Sequence, residues 1–358
     1  MKAAILWEHG RALEVRDDVS LLDLASGDVH IQVVSSGVCR SDLSAQQGVT
    51  PAPIPCVLGH EAAGIVREVG SQVRDLAAGD PVIVSFTPAC RRCRACLRGQ
   101  ANLCETMVEM AITPRFKVGS DTMTGLSGCG SFSEEMIVPE SAVIKVDEGI
   151  PLDVVSLIGC GVMTGVGAAI NTARITPGSS VCVIGCGGIG VAAIQGARIA
   201  GAAEIVAVDS VESKLEMARR FGATHIALFD DLEQAKIEVT GGEGFDYTLE
   251  CVGSPQTIRA GFDAARRGGT AVVVGMGGLD QHVTFNAFEL LFSEKKLLGS
   301  MYGSANVRVD FPRLLRLWKA GRLDLEGMIT RRLKLEEVNE AFRAMQAGEV
   351  IRSVIDHV

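Results

Sequence analysis

Four cysteines, Cys90, Cys93, Cys96 and Cys104, lie within fifteen residues, separated by gaps of two, two and seven. Short turns at that spacing let one loop bring each sulfur about 2.3 Å from a common tetrahedral centre, so the run reads as a zinc site. A second set of ligand-type residues is dispersed: Cys39 in GVCRSD, His60 in VLGHEAAG and Cys160 in SLIGCGVMTG. Spacing alone leaves these three open, because buried Cys packs as a small hydrophobe and a lone His is commonly a hydrogen-bonded core residue. A third pattern, Gly185-Cys186-Gly187-Gly188-Ile189-Gly190, stands between the apolar run VCVIG and the helical run VAAIQ. There the glycines let the backbone approach a pyrophosphate at a helix N-terminus, where free N–H groups favour anions. Asp209 follows nineteen residues after Gly190. That is the placement of an acid that accepts from ribose hydroxyls and repels a 2′-phosphate, favouring NAD over NADP.

These groups must be held by elements whose character changes near residue 160. Before it, short runs such as KAAIL, VHIQVVSSGV, AAGIVREVG, DPVIVSF, SEEMIVPE and AVIKV stand between Gly- and Pro-rich turns, which predicts a mostly β domain of barrel type. From about Ser179 to Gly278 apolar strands alternate with helices: VCVIG, VAAIQGARIAG, EIVAVD, SKLEMARRFGA, FDYTLECVG and TAVVVGMG. Near-continuous apolar strands of this kind make a parallel sheet covered on both faces. After Ser304 come two amphipathic helical stretches, FPRLLRLWKAG and LEEVNEAFRAMQAGE, and a short VIDHV strand.

The 358 residues suffice for two domains, and 47% hydrophobic with 22% charged residues is a globular balance. A net charge of −9 argues against a general nucleic-acid or anionic-membrane binder. The N-terminal stretch turns acidic before a signal-peptide core can form, and uncharged runs such as Val154 to Asn171 fall short of the roughly 20 apolar residues of a membrane span. Eleven cysteines without a signal peptide are expected to stay reduced, in a cytoplasmic protein.

In order, GVCRSD, GHEAAGIVREVG, the four-cysteine run, GCGVMTG and GCGGIG with its following Asp resemble the zinc-dependent alcohol dehydrogenases of the medium-chain dehydrogenase/reductase (MDR) superfamily, across essentially the whole chain. The resemblance implies an α/β fold: a Rossmann doubly wound parallel sheet plus a mostly β GroES-like catalytic domain, with the active site in the cleft between. It assigns 1–161 to the catalytic domain, with its structural zinc loop at 90–104, 162–304 to the NAD-binding domain, and 305–358 to a return into the catalytic domain. It implies two zinc ions per subunit. One is structural, on the four cysteines; the other is catalytic, on Cys39, His60 and Cys160, with water or substrate oxygen in the fourth position. Two thiolates and an imidazole leave an open-position Lewis acid that lowers the pKa of a bound hydroxyl, and the zinc-bound alkoxide can then expel hydride to NAD.

Further roles carry over residue by residue. Ser41 matches the hydroxyl that relays the alcohol proton, Asp42 the carboxylate that orients His60, and Glu61 the acid beside the zinc. Arg40 and Arg352 resemble the arginines that meet the cofactor phosphates. Lys214 matches a lysine near the adenosine ribose, and Thr164 and Ile189 lie where the family contacts the nicotinamide. Phe86 and Thr50 are the expected substrate-pocket residues. One departure stands out: many members carry a histidine three residues after the relay hydroxyl, and this chain has Ser44. Serine cannot hold a proton near neutral pH, so proton exit is expected to use water.

The expected substrate is a small alcohol, aldehyde or ketone. The alternatives on the same scaffold are a nicotinoprotein that retains NAD and a thiol-adduct formaldehyde dehydrogenase. A zinc-bearing DNA-binding protein would use Arg91, Arg92, Arg94 and Arg98, but these suit the −2 charge of a tetrathiolate zinc better. The segment Glu105 to Gly130 reads as a loop and does not disclose the substrate. The family's usual homodimer would use Val283 to Gly303, and some bacterial members form homotetramers.

Overall fold

The computed structural model describes residues 1–357. Its contacts divide the chain into two units. One contains Met1–Cys160, Asn306–Arg316 and the residues from Leu325 onward; the other contains Gly161–Ala305 and Leu317–Asp324.

The first unit is built around one long strand, Asp28–Val38, whose side chains alternate between core and partial exposure along its first half, the period-2 pattern of a half-buried strand. Val29, Ile31 and Val33 point into a core shared with Val66, Val82, Val84, Met136 and Val138. The strand pairs antiparallel with Glu61–Val69, Glu135–Pro139 and Arg352–Asp356. Register fixes what meets at its end: Gly37 lies opposite Glu61, and Val38 opposite Ser353. Cys39, Glu61 and Arg352 are therefore delivered to the same corner from three distant parts of the sequence.

The second unit holds six parallel strands in the order His225–Leu228, Glu204–Asp209, Ser180–Ile184, Phe245–Glu250, Ala265–Val273, Lys296–Gly299. The central strands are buried apolar runs, as a sheet covered on both faces requires. Helix Gly188–Ala200 packs on Gly161–Gly167 through small residues: a Cβ on Gly165 would stand 2.6 Å from Ala192 Cβ. That helix ends at Gly201, whose φ of +90° suits a residue without a Cβ.

Two expectations are revised. The return of 305–358 into the first unit is interrupted, because Leu317–Asp324 packs with the second unit. Gln195 holds this segment by donating to Asp324 O (3.1 Å) and accepting from its N–H (2.8 Å), and Arg198 donates to Arg322 O (2.8 Å). The segment Glu105 to Gly130 is also more ordered than a loop. It forms helix Met107–Ile112 and an antiparallel hairpin, Phe116–Val118 with Asp121–Gly125. The hairpin exists because its paired residues Phe116 and Met123 are both buried in the core.

Candidate active site

Cys39 follows the long strand and caps helix Arg40–Gln46, where the chain turns back on itself through Asp42. Asp42 Oδ2 accepts the Cys39 N–H at 3.0 Å. Its Oδ1 accepts both the Gly59 N–H (3.0 Å) and His60 Nδ1 (3.0 Å). One fully buried carboxylate therefore fixes the backbone at Cys39, the turn before His60 and the imidazole itself. With Nδ1 so engaged, Nε2 is the nitrogen left to bind a metal. Ligand atoms of Cys39, His60, Glu61 and Cys160, all buried, lie within 4.8 Å of one another. The edge of Phe86 meets the His60 ring, with centroids 5.4 Å apart and planes at 86°. Ser41 Oγ lies 3.8 Å from Cys39 Sγ. Thr50 lies beyond the helix, its N–H donating to Ser44 O at 3.3 Å.

Glu61 is paired with Arg352 Nη2, and both side chains are almost wholly buried. The pair has room only because residue 37 is glycine: a Cβ there would collide with the Glu61 carboxylate and stand 3.2 Å from the Arg352 guanidinium. Arg352 is thus directed to Glu61 inside the first unit, while Arg40 is exposed.

Electrostatics couple the cluster. Hydrogen bonding with Cys160 holds the Cys39 thiol well below the ordinary cysteine range, against burial and with help from His60. The same contact, with burial, pushes Cys160 well above it. Burial would push His60 down, but the Asp42 carboxylate and Cys39 override it and raise the imidazole. Burial lifts Glu61 to about 7 although Arg352 opposes. Two sulfurs and one imidazole in a dry corner are the donor set of an open-position zinc site, so these residues fit that metal.

The four-cysteine loop closes on itself through N–H to sulfur bonds. Cys104 Sγ accepts from Cys90 N (3.2 Å), Cys90 Sγ from Cys93 N (3.3 Å), and Cys93 Sγ from Cys96 N (3.5 Å). Its four sulfurs lie within 4.8 Å of one another. Backbone N–H groups of Arg92 and Cys93 pull the Cys90 thiol down to about 6, so it favours the thiolate a metal needs. Arg91, Arg92, Arg94 and Arg98 all point to the surface.

In the second unit, Gly185 has φ +93°, and Gly187 caps the helix that runs from Gly188. Among the described residues nothing lies within 4 Å of a Cβ built on Gly187, whereas one on Gly190 would collide with Gly185 O. The motif thus contains one glycine open to a ligand and one required by its own turn. Asp209 folds back on the loop, accepting the Cys186 N–H at 2.7 Å and the Val211 N–H at 3.1 Å. Lys214 belongs to the following helix, Glu212–Phe221. Thr164 is buried in helix Gly161–Gly167, its carbonyl beside Gly303, while Ile189, in the first turn of the glycine-loop helix, has its carbonyl against Gly165.

Sequence reasoning missed Glu250, a buried acid that ends strand Phe245–Glu250. Its only sequence signal is the position, at the end of an apolar strand before Val252-Gly253.

Comparison with known proteins agrees with this architecture. The family model for the alcohol dehydrogenase GroES-like domain matches residues 25–148, and that for zinc-binding dehydrogenases matches 188–320. Alcohol dehydrogenase B of Mycobacterium tuberculosis is 37% identical over 99% of this chain and 97% of its own length. The S-(hydroxymethyl)glutathione dehydrogenase of Synechocystis is 35% identical over 99% of both. The crystal structure of benzyl alcohol dehydrogenase from Acinetobacter calcoaceticus superposes with a TM-score of 0.92 at 30% identity, covering 99% of this chain and 98% of that one. The chain is a member of the zinc-dependent alcohol dehydrogenases of the MDR superfamily, and an oxidoreductase of that type.

Proposed function

We propose that this enzyme interconverts an alcohol with its aldehyde or ketone using NAD, on a zinc held by Cys39, His60 and Cys160. The observation that carries the reading is the buried Cys2His cluster, whose imidazole is oriented by Asp42. Zinc bound there would supply a Lewis acid that makes a hydroxyl more acidic, and NAD would accept the hydride. Asp42 keeps His60 in the tautomer that offers Nε2. Ser41, half-buried beside Cys39, takes the substrate's hydroxyl proton, and water passes it on from Ser44. Phe86 forms an apolar wall against His60, and Thr50 belongs to the same pocket. When Glu61 is ionised it offsets the charge of Arg352, so the ionised pair brings no net charge to the ligand cluster. Cys90, Cys93, Cys96 and Cys104 hold a second zinc that braces their loop, since four thiolates leave no open position.

The first unit is the catalytic domain in this reading and the second the dinucleotide domain. Gly185, Gly187, Gly188 and Gly190 admit the pyrophosphate, Lys214 lies toward the adenosine, and Thr164 and Ile189 support the nicotinamide side. Arg40 is the exposed arginine available to the phosphates. Asp209 supports NAD over NADP, because a 2′-phosphate beside it would face a carboxylate. Eleven unpaired thiols support a reducing, cytoplasmic setting, and no single helix among the described residues is long and apolar enough to cross a membrane. A second copy would pair with edge strand Lys296–Gly299, exposed at every residue, beside the exposed Phe288, Leu291 and Phe292.

The test is one purified, zinc-analysed preparation assayed with primary and secondary alcohols, aldehydes and hydroxymethyl-thiols, with NAD and NADP in parallel. NAD-dependent oxidation of alcohols supports the reading. Turnover of thiol adducts alone would assign the chain to the activity that its Synechocystis relative's name describes. Release of NAD on denaturation would mark a nicotinoprotein.

A further inference from the structure

Glu250 is 2% exposed; its side chain holds one loop and its main chain another. Its carboxylate Oε1 accepts the N–H groups of Val252 (2.7 Å) and Gly253 (2.8 Å) and the hydroxyl of Thr257 (2.9 Å). Its main-chain carbonyl accepts the N–H groups of Val274 (2.8 Å) and Gly275 (2.9 Å). Loops 251–254 and 274–277 are thereby clamped together with almost no space between them. A Cβ on Gly253 would stand 2.5 Å from the carbonyl carbon of Met276, and one on Gly275 2.5 Å from that of Val252. The clamp presents two apolar side chains to solvent, Val252 at 50% and Met276 at 55% exposure.

The location gives the clamp a use. Strand order reverses between Ser180–Ile184 and Phe245–Glu250, and a doubly wound sheet binds its dinucleotide at the C-terminal ends of the strands at that point. The glycine loop follows the first of these strands and loop 251–254 the second. The two loops touch: a Cβ on Gly185 would lie 2.6 Å from Val252 Cγ2. Asp209, the proposed ribose acid, ends the strand on the far side of Ser180–Ile184. The other half of the dinucleotide therefore falls on the Glu250 side, against Val252 and Met276.

Resting on the dinucleotide reading above, we infer that Glu250 is a positioning residue for the nicotinamide half of the cofactor. Its side chain acts through loop 251–254, which packs directly on 274–277, and it has no part in holding the adenosine half. Burial raises the Glu250 carboxyl above the ordinary range. Its Oε2 has no hydrogen-bond partner among the described residues. Both facts suit a group used for one fixed acceptor oxygen rather than for charge, and glutamine retains that oxygen.

The experiment measures, by calorimetry on the zinc-loaded protein, the Kd of NAD and of ADP-ribose, which lacks the nicotinamide. Glu250→Ala is expected to raise the NAD Kd about tenfold while leaving that of ADP-ribose within about twofold. Glu250→Gln should keep both near those of the unmodified protein. Equal weakening of both ligands in Glu250→Ala, or no change in either, overturns the inference. Failure of the unmodified protein to bind either ligand would instead overturn the dinucleotide reading. Should Glu250→Ala not fold, Thr257→Val removes one anchor and must show the same NAD-selective loss at about threefold; a non-selective change, or none, overturns the inference.

Discussion

Asp42 and His60 are joined at 3.0 Å through Oδ1 and Nδ1, and the same carboxylate accepts the main-chain N–H of Cys39. Two proposed zinc ligands thus depend on one residue that is not itself a ligand. Asp42→Asn replaces one acceptor oxygen by a donor that must face an N–H. Zinc affinity at this site should fall about 10- to 100-fold, read by competition with a chromophoric chelator. Unchanged retention of zinc would refute Asp42 as the orienting residue.

The relay assignment separates Ser41 from Ser44. Ser41→Ala should lower kcat about 10²- to 10³-fold with zinc content unchanged, the scale of a lost proton-transfer group. Ser44→His places an imidazole where the chain now has a hydroxyl, and should add a titrating group near neutral pH to the kcat profile. If that profile did not move, position 44 would have no part in proton exit.

The tetrathiolate loop should be metallated independently of the Cys2His cluster. Cys104→Ser is expected to lower zinc content by about one ion per chain and to reduce the melting temperature, because metal binding there is coupled to loop folding. The remaining zinc should stay with Cys39, His60 and Cys160. Loss of both ions in the variant, by atomic emission, would contradict separate sites.

His357 gives a stability signature in mild acid. Burial pushes its pKa down to about 4, and its Nε2 is buried with no partner among the described residues. Between pH 4 and the unfolded value near 6.5 the unfolded chain binds more protons than the folded one, so stability rises with pH across that window. The contribution is complete above about 6.5 and is lost as pH falls toward 4, at most about 3 kcal/mol. His357→Phe should flatten urea-unfolding free energies over this range. A slope identical to that of the unmodified protein would exclude His357 as its source.

Assembly is tested on the exposed face beside the edge strand. Sedimentation velocity should show a dimer, and Phe288→Arg with Leu291→Arg should give a monomer of 37.7 kDa without loss of helical signal. A monomer before mutation would dispose of this interface.

What the sequence disclosed depended on how local the determinant was. The cysteine run and the glycine loop are each compact in sequence, and Asp209 is read from a nineteen-residue spacing; the four sulfurs do lie within 4.8 Å of one another, and Asp209 ends the strand beside the glycine loop. Cys39, His60 and Cys160 needed a family resemblance, because strand register rather than spacing brings them together. Asp209 is also engaged in its own loop, holding Cys186 N–H, a second use that spacing does not show. Phe116 and Met123 form a hairpin only because they face each other across a core contributed by other strands. Glu250 was invisible for a related reason, since its donors come from two loops and one of them lies over twenty residues away.

The Glu61–Arg352 pair has a consequence for the order in which the protein is made. The two residues are 291 positions apart, so throughout synthesis of the intervening chain the carboxylate lacks its cation. The second unit, whose main segment ends at Ala305, emerges and can fold during that interval. The ligand corner of the first unit can reach its final charge balance only once residue 352 has left the ribosome. The four cysteines of the Cys90 to Cys104 loop, by contrast, are all in place long before residue 352 is made.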